Sequence, residues 1–244
     1  MLRVEHVMGM PVIADVRDED ADPRALDDVF AWLRWVDATF STFKHDSEIS
    51  RINRGELAME DADPAVRLVL ARCEELREET NGWFDARAGS ADVLDPSGLV
   101  KGWSVERAAA ILDRAGVRNY ALNAGGDMVL RGRAAPDWVW RVGIQHPRER
   151  DAVARVIETR NLAIATSGEY ERGRHILDPR KHRPAGQGLL SVTIAGPDLG
   201  TADAYATAAF AMGATKAIHW VARLRDYKAL LILADDRVLS TPGI

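Results

Sequence analysis

Apolar residues recur at helical spacing in three long stretches and alternate with polar ones in several shorter ones. In the first stretch Leu26, Val29, Phe30, Leu33 and Val36 fall on one face of a helix. The preceding Asp22-Pro23 pair supplies a capping acid and a proline at the first helical position. Asp63-Pro64 opens a second helix in the same way, with Val66, Val69, Leu70 and Leu76 as its stripe and Asn81-Gly82 as its stop. A third helix is expected after Ser104, with Val105, Ala108, Ala109 and Leu112 inward and Gly116 closing it. Two later helices are expected over residues 201–212 and 215–225. Extended chain is expected over residues 120–123 and 128–131, separated by a Gly125-Gly126-Asp127 turn. Further strands are expected over residues 138–144, where WVWRVGI alternates, and over 162–165, 190–194 and 227–233.

Strands and helices mix without strict alternation, which points to an α+β or mixed α/β architecture with a largely antiparallel sheet and packed helices. The 244 residues are expected to form one domain, 1–244, with two intimately packed lobes as the alternative and no visible boundary between them. A hydrophobic fraction of 47% and a charged fraction of 28% suit a globular chain with a sizeable core. Acids outnumber bases, 37 to 32, and the net charge of −5 argues against sequence-independent nucleic-acid binding. Cys73 is the single cysteine, so no intrachain disulfide can form, and its place in the second helix's apolar stripe reads as core. No apolar run reaches the ~18 residues needed to span a bilayer. The opening residues hold neither a long apolar stretch nor a following cysteine for a lipid. A cytoplasmic location without membrane insertion is therefore expected.

The chain has no GxxxxGK[ST] loop, no GxGxxG after a strand, and no CxxC or HExxH. P-loop, Rossmann and common zinc chemistry are thereby disfavoured, and a nucleotide must be held in another way. Four segments can carry chemistry, and each has a plain structural alternative. Residues 94–103 join Asp95, a glycine-rich turn around Gly98 and Lys101 just before a helix, which suits an anion or else a capped turn with a surface lysine. Residues 123–127 are either a ligand loop or a hairpin turn. Thr166, Ser167 and Gly168 end a strand, and His175 and Asp178 follow; the hydroxyls and amides suit a phosphate, and His175 is a candidate general base or a structural histidine. Asp203 and Thr207, four apart on a helix, can offer two oxygens to one hard cation, or be a capping acid and a packed threonine.

In this order the segments resemble the ApbE-type flavin transferases, the FAD:protein FMN transferases. The resemblance runs from Met8-Gly9 to Met212-Gly213. It includes FSTF at residues 40–43, SEISRIN at 47–53, GWFDA at 82–86, LDPSGLVKGWSVERA at 94–108, NAGGDMVLRG at 123–132, ATSGEYERGRHILDP at 165–179 and ADAYATAAFAMG at 202–213. It implies a T-fold-like protein that binds FAD as substrate together with Mg2+. Met8, Phe43, Trp83, Phe84, Asp85, Asp95 and Lys101 match flavin-site positions. Thr166, Ser167, Gly168, His175 and Ile176 match segments beside the flavin or its diphosphate. Gly98, through its carbonyl, Asp203 and Thr207 match the magnesium ligands. The implied reaction moves FMN onto a threonine or serine of an acceptor flavoprotein and releases AMP. His175 is the candidate catalytic base, with Asp178 as a candidate orienting partner, or else a phosphate-binding histidine. A magnesium-dependent FAD pyrophosphatase and a non-catalytic FAD-binding protein are the alternatives. Departures from the family pattern are Met10 in place of threonine, Phe43 in place of tyrosine, Glu106 in place of aspartate, the missing glycine before Pro184, and a short loop between Tyr170 and His175. They bear on acceptor recognition more than on FAD binding.

Overall fold

A computed structural model describes residues 1–149, 151–168, 176–185 and 188–244. The chain opens with strands β1 (Leu2–Val7) and β2 (Met10–Val16) and helices α1 (Arg24–Phe40), α2 (Glu48–Asn53), α3 (Pro64–Glu79) and α4 (Ser97–Arg114). Strands β3 (Tyr120–Ala124), β4 (Asp127–Arg131), β5 (Trp140–Gln145), β6 (Val153–Thr159), β7 (Leu162–Gly168), β8 (Leu177–Asp178), β9 (Arg183–Pro184) and β10 (Leu189–Gly196) follow. Helices α5 (Leu199–Met212) and α6 (Ala214–Val221) then precede β11 (Lys228–Leu233) and β12 (Val238–Ser240). Among the described residues, eight strands form one sheet in the order β1-β2-β3-β4-β7-β10-β11-β12, with every pairing antiparallel. The architecture is the expected mixed α+β arrangement, a large antiparallel sheet with packed helices.

The central strands bury both faces, and the two-residue period of a strand sorts their side chains. Leu122, Val129, Ala165, Ile194 and Leu231 join the main core beneath the helices. Their neighbours Ala121, Leu130, Ile164, Ala195 and Leu230 point the other way. There Trp140, Val142 and Ile144 of the separate β5–β6 hairpin cover them. Burial on both sides explains why β7, β10 and β11 read as continuous apolar runs. Each fully buried leucine or phenylalanine, such as Leu122 or Phe210, contributes about 1.5–3 kcal/mol. Cys73 is buried, and burial pushes its thiol up to about 12.

Helix starts follow the capping chemistry of the sequence, with one large exception. The Asp63 carboxylate accepts the Ala65 amide at 2.7 Å at the start of α3. Asp22 accepts the Arg24 amide at 2.9 Å, and Pro23 occupies the cap position of α1 rather than its first helical one. The exception is α4, which begins at Ser97 and not after Ser104. Gly98, Lys101 and Gly102 are therefore helical, and the glycine-rich turn expected before this helix is its first two turns. Strands β1, β2, β6, β8, β9 and β12 and the short helix α2 were not expected from the sequence pattern.

Close approach of two backbones accounts for glycine inside α4. A methyl group at Gly102 would stand 2.4 Å from the Leu199 carbonyl oxygen and 2.8 Å from Cβ of Asp203. Across the same crossing, a methyl group at Gly200 would meet the Trp103 backbone at 3.2 Å. Helix α5 is alanine-rich and buried along almost its whole length, so α4 and α5 pack nearly backbone to backbone. Glu106 fastens this crossing, accepting the Leu199 amide at the start of α5 (2.8 Å) and Arg131 of β4 (2.6 Å). Burial outweighs these partners and holds the Glu106 carboxyl above its ordinary range. Where α1 meets α4, Trp32 stacks on Trp35, Trp103 packs tilted against Trp32 and Phe40, and the Trp32 indole donates to the Ser104 carbonyl at 2.9 Å.

Candidate active site

The α4–α5 crossing, the ends of β3 and β7, and the segment 83–97 enclose a cleft of about 370 Å³. Residues distant in sequence line it: Trp83, Phe84, Asp85, Asp95, Gly98, Lys101, Thr166, Ser167, Gly168, Ile176, Asp203 and Thr207. Two residues expected beside them lie elsewhere. Met8 is partly buried against the core near Ser104, and Phe43 is 98% exposed on the connection between α1 and α2. His175 and the neighbouring Glu169 and Tyr170 lie outside the described residues.

An ion-pair cluster forms one wall of the cleft. The Lys101 ammonium is 2.7 Å from Asp127 Oδ2 and 3.7 Å from Asp203 Oδ1. Asp127 is 1% exposed and Asp203 3%. The second oxygen of each carboxylate takes a backbone amide. Asp127 Oδ1 accepts from Thr166 at 3.0 Å, and Asp203 Oδ2 accepts from Gly102 at 2.9 Å.

Asp127 was missed as a site residue. From sequence it is an acid after two turn glycines, and the hairpin is real: Gly125 and Gly126 both have positive φ, 57° and 96°, as a tight two-residue turn requires. The turn sets Asp127 as the first residue of β4, where it meets Lys101 of α4.

Asp203 is not the capping acid of α5. Asp198 fills that role, accepting the Thr201 amide at 2.7 Å. Asp203 lies one turn further in and shares a face with Thr207. The Thr207 hydroxyl is 3.5 Å from the Ser167 hydroxyl, and Cβ on Gly98 would stand 3.5 Å from Thr207 Oγ1. The start of α4 is thus pressed against the acid-and-hydroxyl face of α5.

Thr166 and Ser167 point to opposite sides of the sheet. Ser167 faces α5, whereas the Thr166 hydroxyl bonds Thr193, its cross-strand partner, at 2.9 Å. One of the two hydroxyls expected to serve a ligand is therefore engaged within the sheet.

The opposite wall is aromatic and acidic. Phe84 is buried, its amide held by the Thr80 hydroxyl at 2.9 Å. Trp83 lies under the Arg180 guanidinium at 4.1 Å and the Lys216 ammonium at 4.9 Å. Asp85 and Asp95 each cap local backbone, accepting the Arg87 amide (2.8 Å) and the Ser97 amide (3.0 Å). Ser97, Gly125, Leu177 and Pro179 also line the cleft; they belong to segments singled out from sequence but are not named there as site residues. Asp178, next to Leu177, is buried and receives Lys181 at 3.3 Å. Among the described residues, no three His, Cys, Asp or Glu side chains converge on one metal position, and no helix is long and apolar enough to cross a membrane.

Comparison with known proteins identifies the family of the chain. Curated relatives include the FAD:protein FMN transferase of Vibrio cholerae, 34% identical over 152 residues, which are 59% of this chain and 45% of that protein. That of Haemophilus influenzae is 26% identical, with 88% of this chain and 80% of that protein covered. That of Salmonella typhimurium is 32% identical, with 53% and 40% covered. The chain thus matches less than half the length of the Vibrio and Salmonella relatives. Among solved structures, a flavin transferase ApbE from Vibrio cholerae superimposes with a TM-score of 0.87 at 23% identity, covering 99% of this chain and 96% of that one. An ApbE protein from Thermotoga maritima does so with a TM-score of 0.85 at 24% identity, covering 99% and 97%. These two likenesses establish the fold. The model of the ApbE family matches residues 8–94 and 87–231, nearly the whole of the fold and every described wall of the cleft, so the chain belongs to the ApbE family.

Proposed function

We propose that this chain is an FAD:protein FMN transferase that moves FMN from FAD to a threonine or serine hydroxyl of an acceptor flavoprotein and releases AMP. One observation carries the reading: Gly98, Lys101, Ser167, Asp203 and Thr207, from three separate segments of the chain, meet in one cleft beside Trp83 and Phe84. The names of the curated relatives support the same activity.

The residues present fit a magnesium ion. Asp203, Thr207 and the Gly98 carbonyl are hard oxygen donors, Asp203 and Thr207 share a helix face, and Gly98 leaves no side chain between its backbone and Thr207. These three residues would hold the ion. Magnesium, when bound, supplies positive charge that makes a diphosphate accessible to an oxygen nucleophile. The chain's own residues do the rest. Trp83 and Phe84 supply apolar surface for a flat ring system. Lys101 and Ser167 would face the diphosphate, and Asp85, Asp95, Gly168 and Ile176 complete the lining of the cleft. His175, as general base, takes the proton of the acceptor hydroxyl. The oxygen then bonds to the phosphorus on the FMN side, and the bond to the AMP oxygen breaks. Such base assistance contributes typically about 10²–10⁴-fold.

The test is to incubate the protein with FAD and magnesium, with and without a threonine-bearing acceptor, and to weigh the acceptor. A gain of one FMN, dependent on magnesium and matched by AMP release, is the expected result. FMN and AMP formed equally without acceptor would replace the reading with FAD hydrolysis. Unchanged FAD in both reactions would reject enzymatic turnover.

A further inference from the structure

The aromatic wall of the cleft is acidic within and basic at its rim. Asp85 and Asp95 line the cleft, whereas cations stand just outside it, on the turn between β8 and β9 and on α6. The turn holds Arg180 and Lys181, Arg183 opens β9, and Lys216 belongs to α6. These four residues are exposed and do not line the cleft, although their neighbours Trp83 and Pro179 do. The turn is fastened to the aromatic wall at two points. Arg180 donates to the Asn81 carbonyl at 2.9 Å with its guanidinium 4.1 Å from the Trp83 ring, and the His182 ring bonds the Ala88 carbonyl at 3.0 Å. The Lys216 ammonium reaches the same indole at 4.9 Å. Among the described residues, Lys181 alone of the four cations has a carboxylate partner, Asp178 at 3.3 Å. A chain of net charge −5 thus keeps an exposed cationic rim beside its cleft.

Like charges gathered at the edge of a cleft steer and orient a partner of opposite sign. We propose that this rim docks an acidic segment of the acceptor protein, with aspartates or glutamates flanking the threonine or serine that receives FMN. The inference rests on the transferase reading given under Proposed function. A ligand held inside the cleft does not occupy the rim, whereas a protein chain that inserts a hydroxyl must lie across it. Asp85 and Asp95 inside repel acidic flanks. A neutral hydroxyl therefore enters, and the flanking charges stay on Arg180, Lys181, Arg183 and Lys216. Four cations on a net acidic chain suit a short acidic peptide rather than a nucleic acid, which needs a dense cationic surface.

Fluorescence anisotropy with two labelled peptides tests this apart from turnover. Each peptide has one central threonine, flanked by glutamates in the first and by glutamines in the second. At low salt the glutamate peptide is expected to bind the unmodified protein at least about tenfold more tightly than the glutamine peptide. That advantage should shrink in about 0.3 M sodium chloride, where exposed charges are screened beyond about 6 Å. The double variant Arg183→Glu with Lys216→Glu should weaken the glutamate peptide at least about tenfold, and the charge-conserving Arg183→Lys with Lys216→Arg should bind it within about threefold of the unmodified protein. The comparison of the two peptides on the unmodified protein does not depend on how any variant folds. Equal binding of the two peptides, no loss in the reversed variant, displacement of bound peptide by FAD, or tighter binding of a single-stranded oligonucleotide of equal charge overturns the inference. Each of these outcomes leaves the transferase reading standing. A glutamate peptide bound as expected, on a protein that leaves FAD unchanged with every acceptor, rejects the transferase reading instead.

Discussion

At the scale of single residues, the proposed chemistry turns on Asp203. Its side chain enters the cleft from the interior of α5, with one oxygen on the Gly102 amide and the other toward Lys101. In Asp203→Ala the proposed cation loses its carboxylate, while Lys101 keeps Asp127 as partner. FMN transfer to an acceptor should fall at least about 100-fold, while stability in urea changes by only about 1 kcal/mol. Transfer within tenfold of the unmodified protein would contradict the metal assignment. The four-residue spacing of Asp203 and Thr207 was legible in sequence because both sit on one helix. Asp127 was not legible as a site residue, because its partner Lys101 lies on another element and nothing local marks a hairpin acid as buried. The direction of the Thr166 hydroxyl was equally hidden, since it depends on Thr193 standing opposite in the sheet register. Phe43, matched to the family by position, has its ring in solvent rather than in the cleft wall.

At the scale of elements, the site is made by the crossing of α4 and α5. Gly102→Ala would drive a methyl group to 2.4 Å from the Leu199 carbonyl, a backbone atom with no freedom to move aside. The helices must separate, and the substitution should cost about 3 kcal/mol in chemical denaturation and weaken FAD binding together. An Ala variant as stable as the parent would show that the crossing is looser than its geometry indicates. The same glycines misled the reading of the sequence. Pro96, Gly98 and Gly102 look like a turn, so α4 was expected only after Ser104, whereas Pro96 caps α4 and the two glycines lie inside it, against neighbours that leave little room for a side chain. The Asp-Pro starts of α1 and α3 were legible because a cap is a local device. Strand β1 was not, since it leaves Leu2 and Val4 exposed and half-buries Arg3 and Glu5, the reverse of an inward apolar alternation.

At the scale of the whole molecule, charged contacts tie the sheet to its connections and make stability depend on pH. Asp18, after β2, accepts the amides of Arg118 and Asn119 and the Asn119 side chain at the entry to β3. Burial alone would raise its carboxyl, but these hydrogen bonds outweigh that effect and hold it below the ordinary aspartate range. A depressed value means that the contribution is complete above the unfolded-state pKa of about 3.9 and is lost as pH falls through the folded-state value. Asp18→Asn should therefore be less stable by about 1 kcal/mol at pH 7, with the gap closing below about pH 3. Thermal melts across that range provide the check, and a gap that persists in acid would exclude the carboxylate as its source. The same long-range wiring governs how the molecule is made. Lys101 and Asp127 are synthesised well before Asp203 and Thr207, which emerge only after the central strands β7 and β10. A nascent chain halted before α5 carries the aromatic wall of the cleft but neither α5 oxygen of the proposed cation pair. On the proposed reading, metal and nucleotide cannot guide the early stages of folding on the ribosome; they can only lock a sheet and helix crossing that the polypeptide has already assembled by itself.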